Sequence, residues 1–393
     1  MRHGFSSNTK QAIAGRAGYR CSVPTCDIVT IGPGFKADDL SITGQAAHIF
    51  SAAAKGPRGF GPLSPDEIRS AVNGIWLCDS HAKLIDTNRG QKYPPPLLHS
   101  WKSLQEAKVG AEQSGRNIPF AWVQEICVHK SQIFADDTKL MFSKVTLLVG
   151  RNNSGKTAIC SWLSSISAPS ILERWTHLVR GGDLIFTVTL CNPEEHTISV
   201  KCDANSIQHI LDSIQVPFNP IPVKFVYLEF KSSSFRRGQS DLDYIQSHFT
   251  VDPVIMRNCA ALLGSQLTNS VQHFTVNDSQ QPGAVSVEIK GNKGPMDFGQ
   301  LSGSEQSRVI IEIGIAIAHF YSKFVPTVFV LDLPGTFLDD AGVSEYAGYL
   351  LSKEFDFQTI LISPVPREKV QWTGWEIARL VGAMKEVTIE QEL

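Results

Sequence analysis

The chain lacks any run of about 18 or more consecutive apolar residues, which argues against a membrane-spanning helix. Its opening residues, Met1-Arg2-His3-Gly4-Phe5-Ser6, lack the apolar core of a secretory signal, so a cytoplasmic protein without membrane association is expected. It also lacks net charge: 36 Lys and Arg against 38 Asp and Glu leave -2 at neutral pH. No global basic field marks a nucleic-acid binder, and any such contact must come from local patches. A disulfide framework is missing too. Of eight cysteines, Cys127, Cys160, Cys191, Cys202 and Cys259 are scattered among apolar neighbours, the pattern of free buried thiols. There is no internal repeat and no arm long enough for an extended coiled coil. What is there is ordinary in bulk: 393 residues, 42% hydrophobic and 19% charged, enough for two or three domains.

The texture changes once along the chain. Residues 1 to about 115 are rich in Gly, Pro and small residues and carry three of the eight cysteines. The turn-prone run Gln91-Lys92-Tyr93-Pro94-Pro95-Pro96 leads into an amphipathic helix from Leu97 to about Glu112. The polar stretch Gln113-Ser114-Gly115-Arg116-Asn117 reads as a linker. Short apolar strands then begin: Val123 to Val128, Lys144 to Val149, a pair over Asp183 to Leu190 and His196 to Lys201, and Val223 to Leu228. Residues 241 to about 272 read as helices, with a hairpin near 284–297. Helix is expected again over Glu305 to Tyr321 and near 343–353, between strands Val328 to Leu331 and Thr359 to Ile362. Strands alternating with helices indicate an α/β sheet with an inserted helical region at about 231–300.

Gly150-Arg151-Asn152-Asn153-Ser154-Gly155-Lys156-Thr157 follows a predicted strand and opens a predicted helix, the context a phosphate-binding loop requires. Glycines let backbone N–H groups of the Gly150, Asn152, Asn153, Ser154 and Gly155 loop curl around a β-phosphate, and the helix N-terminus adds favourable potential. Lys156 would pair with the β- and γ-phosphates of ATP, and the Thr157 hydroxyl would ligate Mg²⁺. Downstream, Leu301-Ser302-Gly303-Ser304-Glu305-Gln306 opens a helix whose Ser302 and Gly303 could meet a γ-phosphate. Thr327 to Asp332 is an apolar strand ending in a carboxylate suited to Mg²⁺. In this order the three segments resemble the ABC ATPases, through Leu331-Asp332-Leu333-Pro334-Gly335-Thr336-Phe337-Leu338-Asp339, which looks like that family's Walker B strand and D-loop. The resemblance covers about residues 123 to 385, roughly two-thirds of the chain, with a compact SMC-like flavour. It implies a homodimer that sandwiches ATP between Lys156, Thr157 and Asp332 of one chain and Ser302 and Gly303 of its partner. Two departures point to weak or absent hydrolysis. The family's glutamate after the Walker B aspartate is Leu333 here, which cannot accept a proton from water, and its switch histidine gives way to Ser363-Pro364. Asp339 or Asp340 is the nearest acidic substitute.

In the first 115 residues, Cys21 and Cys26 are separated by four residues, and Cys78 and His81 by two. Two close pairs about fifty residues apart supply the four N/S ligands that tetrahedral Zn²⁺ takes. Between them lie Gly44-Gln45-Ala46-Ala47-His48-Ile49 and Asn73-Gly74-Ile75-Trp76-Leu77-Cys78, and after them Leu84-Ile85-Asp86 and Tyr93-Pro94. This order resembles the HNH (ββα-metal) endonucleases over about residues 13 to 105. The resemblance puts His48 in the place of the general base and Asn73 in that of the asparagine bracing its loop. It also leaves gaps: the positions that usually help hold a catalytic metal are Ala47 and Ala82. Asp86, with Asp79 or His99 behind it, is the candidate replacement; otherwise His81 serves that metal and zinc takes three cysteines and another ligand. Lys55-Gly56-Pro57-Arg58-Gly59 is either a phosphate-touching basic loop or a solvated one. Phe235-Arg236-Arg237-Gly238 is a second basic spot, expected to face solvent or a dimer mate.

The expectation is an α/β chain of two parts, an HNH-type zinc domain over 1–115 and an ABC-type ATPase domain over 116–393. ATP would clamp two copies and set the exposure of two nuclease modules. Fused ATPase–HNH arrangements resemble Septu-type bacterial antiviral defence systems. They imply conditional cleavage of nucleic acid, DNA favoured and RNA second, with a separate defence-system partner conceivable. The competing expectation is a non-catalytic ATP-binding scaffold on nucleic acid that recruits another effector; a repair ATPase with robust turnover ranks last because of Leu333.

Overall fold

The computed structural model describes residues 3–23, 26, 28–113, 122–178, 183–192, 194–203, 206–217, 219, 221–230, 238–267, 269–277, 282–292, 294–333, 338–351, 355–364, 367, 369–383 and 385–391. The linker stretch after Gln113, residues Pro334–Phe337 and the Phe235-Arg236-Arg237 spot lie outside them. Among the described residues no helix is long and apolar enough to cross a membrane.

The N-terminal part opens with the helix Ser7–Arg16, whose first turn is capped by the Ser6 hydroxyl accepting from the Thr9 amide. A small hairpin pairs Ile31–Pro33 with Leu40–Ile42. The strand Gly44–His48 then runs antiparallel to Gly74–Cys78, in a register that sets His48 opposite Gly74 and Gly44 opposite Cys78. The short helix Asp79–Leu84 follows without a break. Two strands and a helix thus surround a core of Ile49, Ile75, Leu77, Ile85, Leu98 and Trp101.

The helix Pro95–Gln113 belongs to both halves of the molecule. Towards the N-terminal part, Lys102 Nζ donates to the Ala71 and Gly74 carbonyls (2.6 and 2.5 Å), Gln105 Nε2 to Ala17 O, and Glu106 pairs with Arg16. Towards the other half, the Ser100 hydroxyl donates to Phe142 O, and Leu104 packs with Trp122 and Cys191.

The larger part is mixed α/β. A six-stranded sheet has the order Lys224–Glu229, Thr327–Asp332, Gln358–Ser363, Val145–Gly150, Glu376–Val381, Thr388–Gln391, all parallel except the last. Its strands are nearly continuous apolar runs because both faces are covered. Val145, Leu147 and Val149 face one core, with the helix Gly303–Ser322; Leu148, Val330 and Ile360 face another, with the helix Lys156–Ser165. The long helix lies close because Gly314 has no side chain: a Cβ there would sit 3.1 Å from the Phe329 ring and 3.3 Å from Leu228. An antiparallel sheet (Ile214–Val216, Ile207–Leu211, Glu194–Cys202, Leu184–Asn192, Trp122–Lys130, Thr138–Met141) covers the second core. The two sheets are tied by buried Gln358. Its Oε1 accepts from Val123 N at 3.0 Å, and its Nε2 donates to Val123 O (2.8 Å) and Ser143 O (3.0 Å).

One expectation fails here. The insertion is not helical to about 272: it holds two short helices, Asp241–Gln246 and Pro253–Ala260, and a three-stranded antiparallel sheet of Val271–Val276, Val285–Ile289 and Met296–Asp297. The first strand carries a register shift between Val271 and His273. That irregularity buries Val271 and Phe274 together, an i, i+3 spacing that imitates a helix face.

Candidate functional site

Val145–Gly150 delivers the glycine loop to the carboxyl edge of the parallel sheet, where open α/β sheets bind ligands. Asn153 (φ 64°) and Gly155 (φ 92°) are left-handed. At Gly155 a side chain is excluded twice over, since a Cβ would fall 2.6 Å from Phe134 and 2.7 Å from Ile133. The helix Lys156–Ser165 begins with Gly155 as its N-cap and no side-chain cap, so first-turn amides remain open to a ligand. Lys156 folds back over the loop: Nζ donates to Gly150 O (2.5 Å) and Arg151 O (2.8 Å). Burial lowers its pKa, opposed by the Asp332 carboxylate.

The structure brings Thr157 to Asp332 across the sheet, Oγ1 donating to Oδ2 at 3.4 Å. Burial, then the neighbouring Glu229 carboxylate, raises the Asp332 pKa, and Thr157 and Lys156 oppose the rise. Loop and aspartate share a cavity of about 520 Å³ that also takes in Ser154, Glu229, Phe230, Leu333 and Pro364. The Ser154 hydroxyl is buried there without a hydrogen-bond partner, a polar atom a phosphate oxygen would satisfy. Lys156, Thr157, Asp332 and the uncapped amides together fit a Mg²⁺-bound triphosphate. Ser302 and Gly303 do not line this cavity. They start the helix Gly303–Ser322, where Ser302 caps it in a reciprocal pair with Glu305.

Two sequence expectations around the cavity are corrected. Asp339 is an N-cap, accepting from Gly342 N at 2.9 Å, and Asp340 accepts from Arg367 at 3.2 Å; neither lines the cavity, so neither stands in for the carboxylate missing at Leu333. Glu229 went unnoticed, although it ends an apolar strand much as Asp332 ends its own. That repetition was the available signal.

In the N-terminal part, Cys21, Cys26, Cys78 and His81 place one ligand atom each within 4.8 Å of one another. His81 Nδ1 is 3.4 Å from Cys21 Sγ and 3.2 Å from Cys78 Sγ. Burial pushes the Cys21 thiol up to about 12, only partly offset by the Cys78 and Val23 amides. A cation would reverse that shift, and the donor set is one that suits zinc. A second trio, Cys127, His129 and Asp137, also converges; there His129 pairs with Asp137 at 2.8 Å on the outside of the antiparallel sheet.

His48 ends its strand stacked on Phe5, ring centroids 3.7 Å apart, with Nε2 3.1 Å from the His3 carbonyl. A carbonyl only accepts, so Nε2 carries a proton there and Nδ1 is the basic nitrogen of the neutral ring. Asn73 is buried behind it: Oδ1 accepts from Phe50 N (2.7 Å), and Nδ2 donates to Phe50 O (2.9 Å) and Ile68 O (3.2 Å). The segment leaving His48 is therefore held at both its amide and its carbonyl.

In the basic loop after His48, Lys55 is exposed, as either expectation has it, but Arg58 departs from both. Arg58 is turned inward, 4% exposed, donating to the Ile49, Ile85 and His48 carbonyls and pairing with Asp86 at 2.7 Å. A guanidinium whose donors are mostly engaged by converging carbonyls and a carboxylate is not offered to a phosphate at the surface, which makes Arg58 a brace. Beside His48, Ala47 and Ala82 offer no ligand, Asp86 is held by Arg58, and Asp79 accepts from Gln45 at 2.9 Å. His99 lies against Phe50, and burial, then Lys102, holds its pKa down to about 4. Among the described residues, His48 therefore lacks the unengaged neighbouring ligands that a hard cation ordinarily takes.

No protein-family profile matches the sequence, and comparison with curated proteins finds no match. Among solved structures, the chain is similar to an Smc head bound to the C-terminal winged-helix domain of ScpA, at 13% identity and TM-score 0.49, covering 69% of this chain and 97% of that one. It is similar to the SMC head domain from Thermotoga maritima at 16% identity and TM-score 0.43, covering 68% and 98%. It is likewise similar to the recombination mediator RecF, at 13% identity and TM-score 0.43, covering 69% and 98%.

Proposed function

We propose that this chain is an ATP-gated protein of nucleic-acid processing, pairing an ABC-type ATP clamp with an HNH-type endonuclease module that acts on DNA in preference to RNA. Backbone amides of the Gly150–Gly155 loop cradle the β-phosphate, Lys156 swings from its loop carbonyls onto the γ-phosphate, and Thr157 and Asp332 hold Mg²⁺. Ser302 and Gly303 of a second copy close over the γ-phosphate, so ATP joins two chains and fixes the placement of two N-terminal modules. Zn²⁺ on Cys21, Cys26, Cys78 and His81 holds each module together. His48 Nδ1 takes a proton from the water that attacks a phosphodiester, and Asn73 keeps the imidazole in place.

The observation that carries this reading is the double support of His48. A carbonyl sets its tautomer and Asn73 clamps the segment behind it, an arrangement a merely structural histidine does not need. Incubating the purified chain with plasmid DNA and with tRNA, plus Mg²⁺ or Mn²⁺, with and without ATP, tests it. Cleavage that is abolished by His48→Ala is expected.

One observation favours a second reading. With Asp86 held by Arg58 and alanines at 47 and 82, the module binds nucleic acid without cutting and recruits another effector. Binding without cleavage in the wild type would select that reading. A place in bacterial antiviral defence, with a separate effector partner, follows from the pairing of the two modules; loss of phage protection with Lys156→Ala would support it.

A further inference from the structure

The carboxylate missing at Leu333 leaves the cavity without its expected proton acceptor. Leu333 is 2% exposed, and its amide donates to Ile362 O at 3.1 Å, so it is locked as a core residue. Of the described residues lining the cavity, only Asp332 and Glu229 carry carboxylates. Glu229 ends the strand Lys224–Glu229 and is the register partner of Asp332 on the neighbouring parallel strand. Adjacent strands lie about 4.8 Å apart, so the two acidic residues stand side by side at the carboxyl edge of the sheet. Their roles divide by environment. Asp332 is the more buried and already engages Thr157, whereas Glu229 is exposed and lines the cavity, and among the described residues no side-chain hydrogen bond or ion pair engages its carboxylate. Ser154, whose buried hydroxyl has no hydrogen-bond partner, belongs to the lining of the same cavity.

We propose that Glu229 is the general base of nucleoside triphosphate hydrolysis in this chain, supplying from the adjacent strand what Leu333 cannot. The proposal rests on the reading of this cavity as an ATP site. Water oxygen bonds to the γ-phosphorus while one of its protons passes to the Glu229 carboxylate. The bond from the γ-phosphorus to the β,γ-bridging oxygen breaks, and the electron pair stays on that oxygen. Nucleoside diphosphate and inorganic phosphate leave, and Glu229 returns its proton to solvent. Thr157 and Asp332 would hold a metal ion that offsets charge on the phosphate oxygens, while Glu229 handles the proton.

The test measures phosphate release from MgATP alongside binding of a fluorescent ATP analogue, for the full-length wild type, Glu229→Gln, Glu229→Asp and Lys156→Ala. Glu229→Gln should lower kcat by about 10²- to 10⁴-fold with nucleotide affinity held within about threefold. Glu229→Asp should recover part of the rate, a rescue that a loss of fold would not give. The proposal is overturned if Glu229→Gln turns over within about threefold of wild type, or loses affinity as much as rate. It is equally overturned if the wild type binds nucleotide but releases no phosphate. If the wild type, like Lys156→Ala, fails to bind nucleotide at all, the ATP-site reading itself falls and takes this proposal with it.

Discussion

Replacing Glu312 with alanine should cost about 4 kcal/mol of stability. Glu312 sits in the middle of the helix Gly303–Ser322, 3% exposed, and gathers five donors. Its Oε1 accepts from Ser270 N and from Tyr346 OH, both at 2.9 Å, from the Ser270 hydroxyl and, at 3.4 Å, from the half-buried Asn269 side-chain amide; its Oε2 accepts from Val271 N at 3.1 Å. After Glu312→Ala the two hydroxyls can still pair with each other, since Ser270 Oγ and Tyr346 OH are 3.0 Å apart. The two buried amides have no such alternative. An unsatisfied buried donor costs about 1–3 kcal/mol, so two give about 4 kcal/mol near the middle of the range. Glu312→Gln keeps the volume but turns an amide donor towards one of them, for about half that loss. Urea unfolding of the three proteins in parallel reads the difference directly. A Glu312→Ala loss below about 1 kcal/mol would refute the reasoning, because buried amides would then have found partners that the fold does not offer. The same variant should weaken ATP-dependent dimerisation more than ATP binding by the monomer, since Glu312 anchors the helix that begins at Ser302.

Three further outcomes are expected. Metal analysis should find one zinc per chain bound by the N-terminal cluster, absent from Cys78→Ala, and a strong chelator should unfold residues 3–113 as followed by fluorescence of Trp76 and Trp101; a chelated module that keeps its native signal would count against it. Gly155→Val should abolish nucleotide binding while the chain still folds, because it forces a β-branched residue to φ 92° against Phe134; retained binding in an ATP-analogue titration would contradict this. His99 is neutral in the folded chain down to about pH 4, whereas the unfolded chain takes up a proton near 6.5. Stability therefore rises with pH between those values and is flat above them, a swing of about 3 kcal/mol in acid that His99→Phe should remove, as melting temperatures against pH would report.

Much of the nucleotide cavity was legible because each part is local: a glycine loop, a strand end, a helix cap, all written in a few consecutive residues. The convergence of Thr157 with Asp332, 175 positions apart, was legible only as order along the chain. Glu229 was not read, because its partner in the site is a register neighbour from a strand almost a hundred residues later. The inward turn of Arg58 was equally hidden. A basic residue in a glycine-flanked loop looks solvated until three carbonyls from two separate segments converge on it.

The helix Pro95–Gln113 is gripped by side chains from both halves along the same few turns. If ATP joins two copies as proposed, such a strut would carry rotation with little slack: a change in the pose of one sheet relative to the second copy would reach the far module as a swing of the whole body. Signalling along this route needs no melting or rewiring, only leverage. A glycine pair placed mid-helix should then uncouple the two ends while leaving each intact.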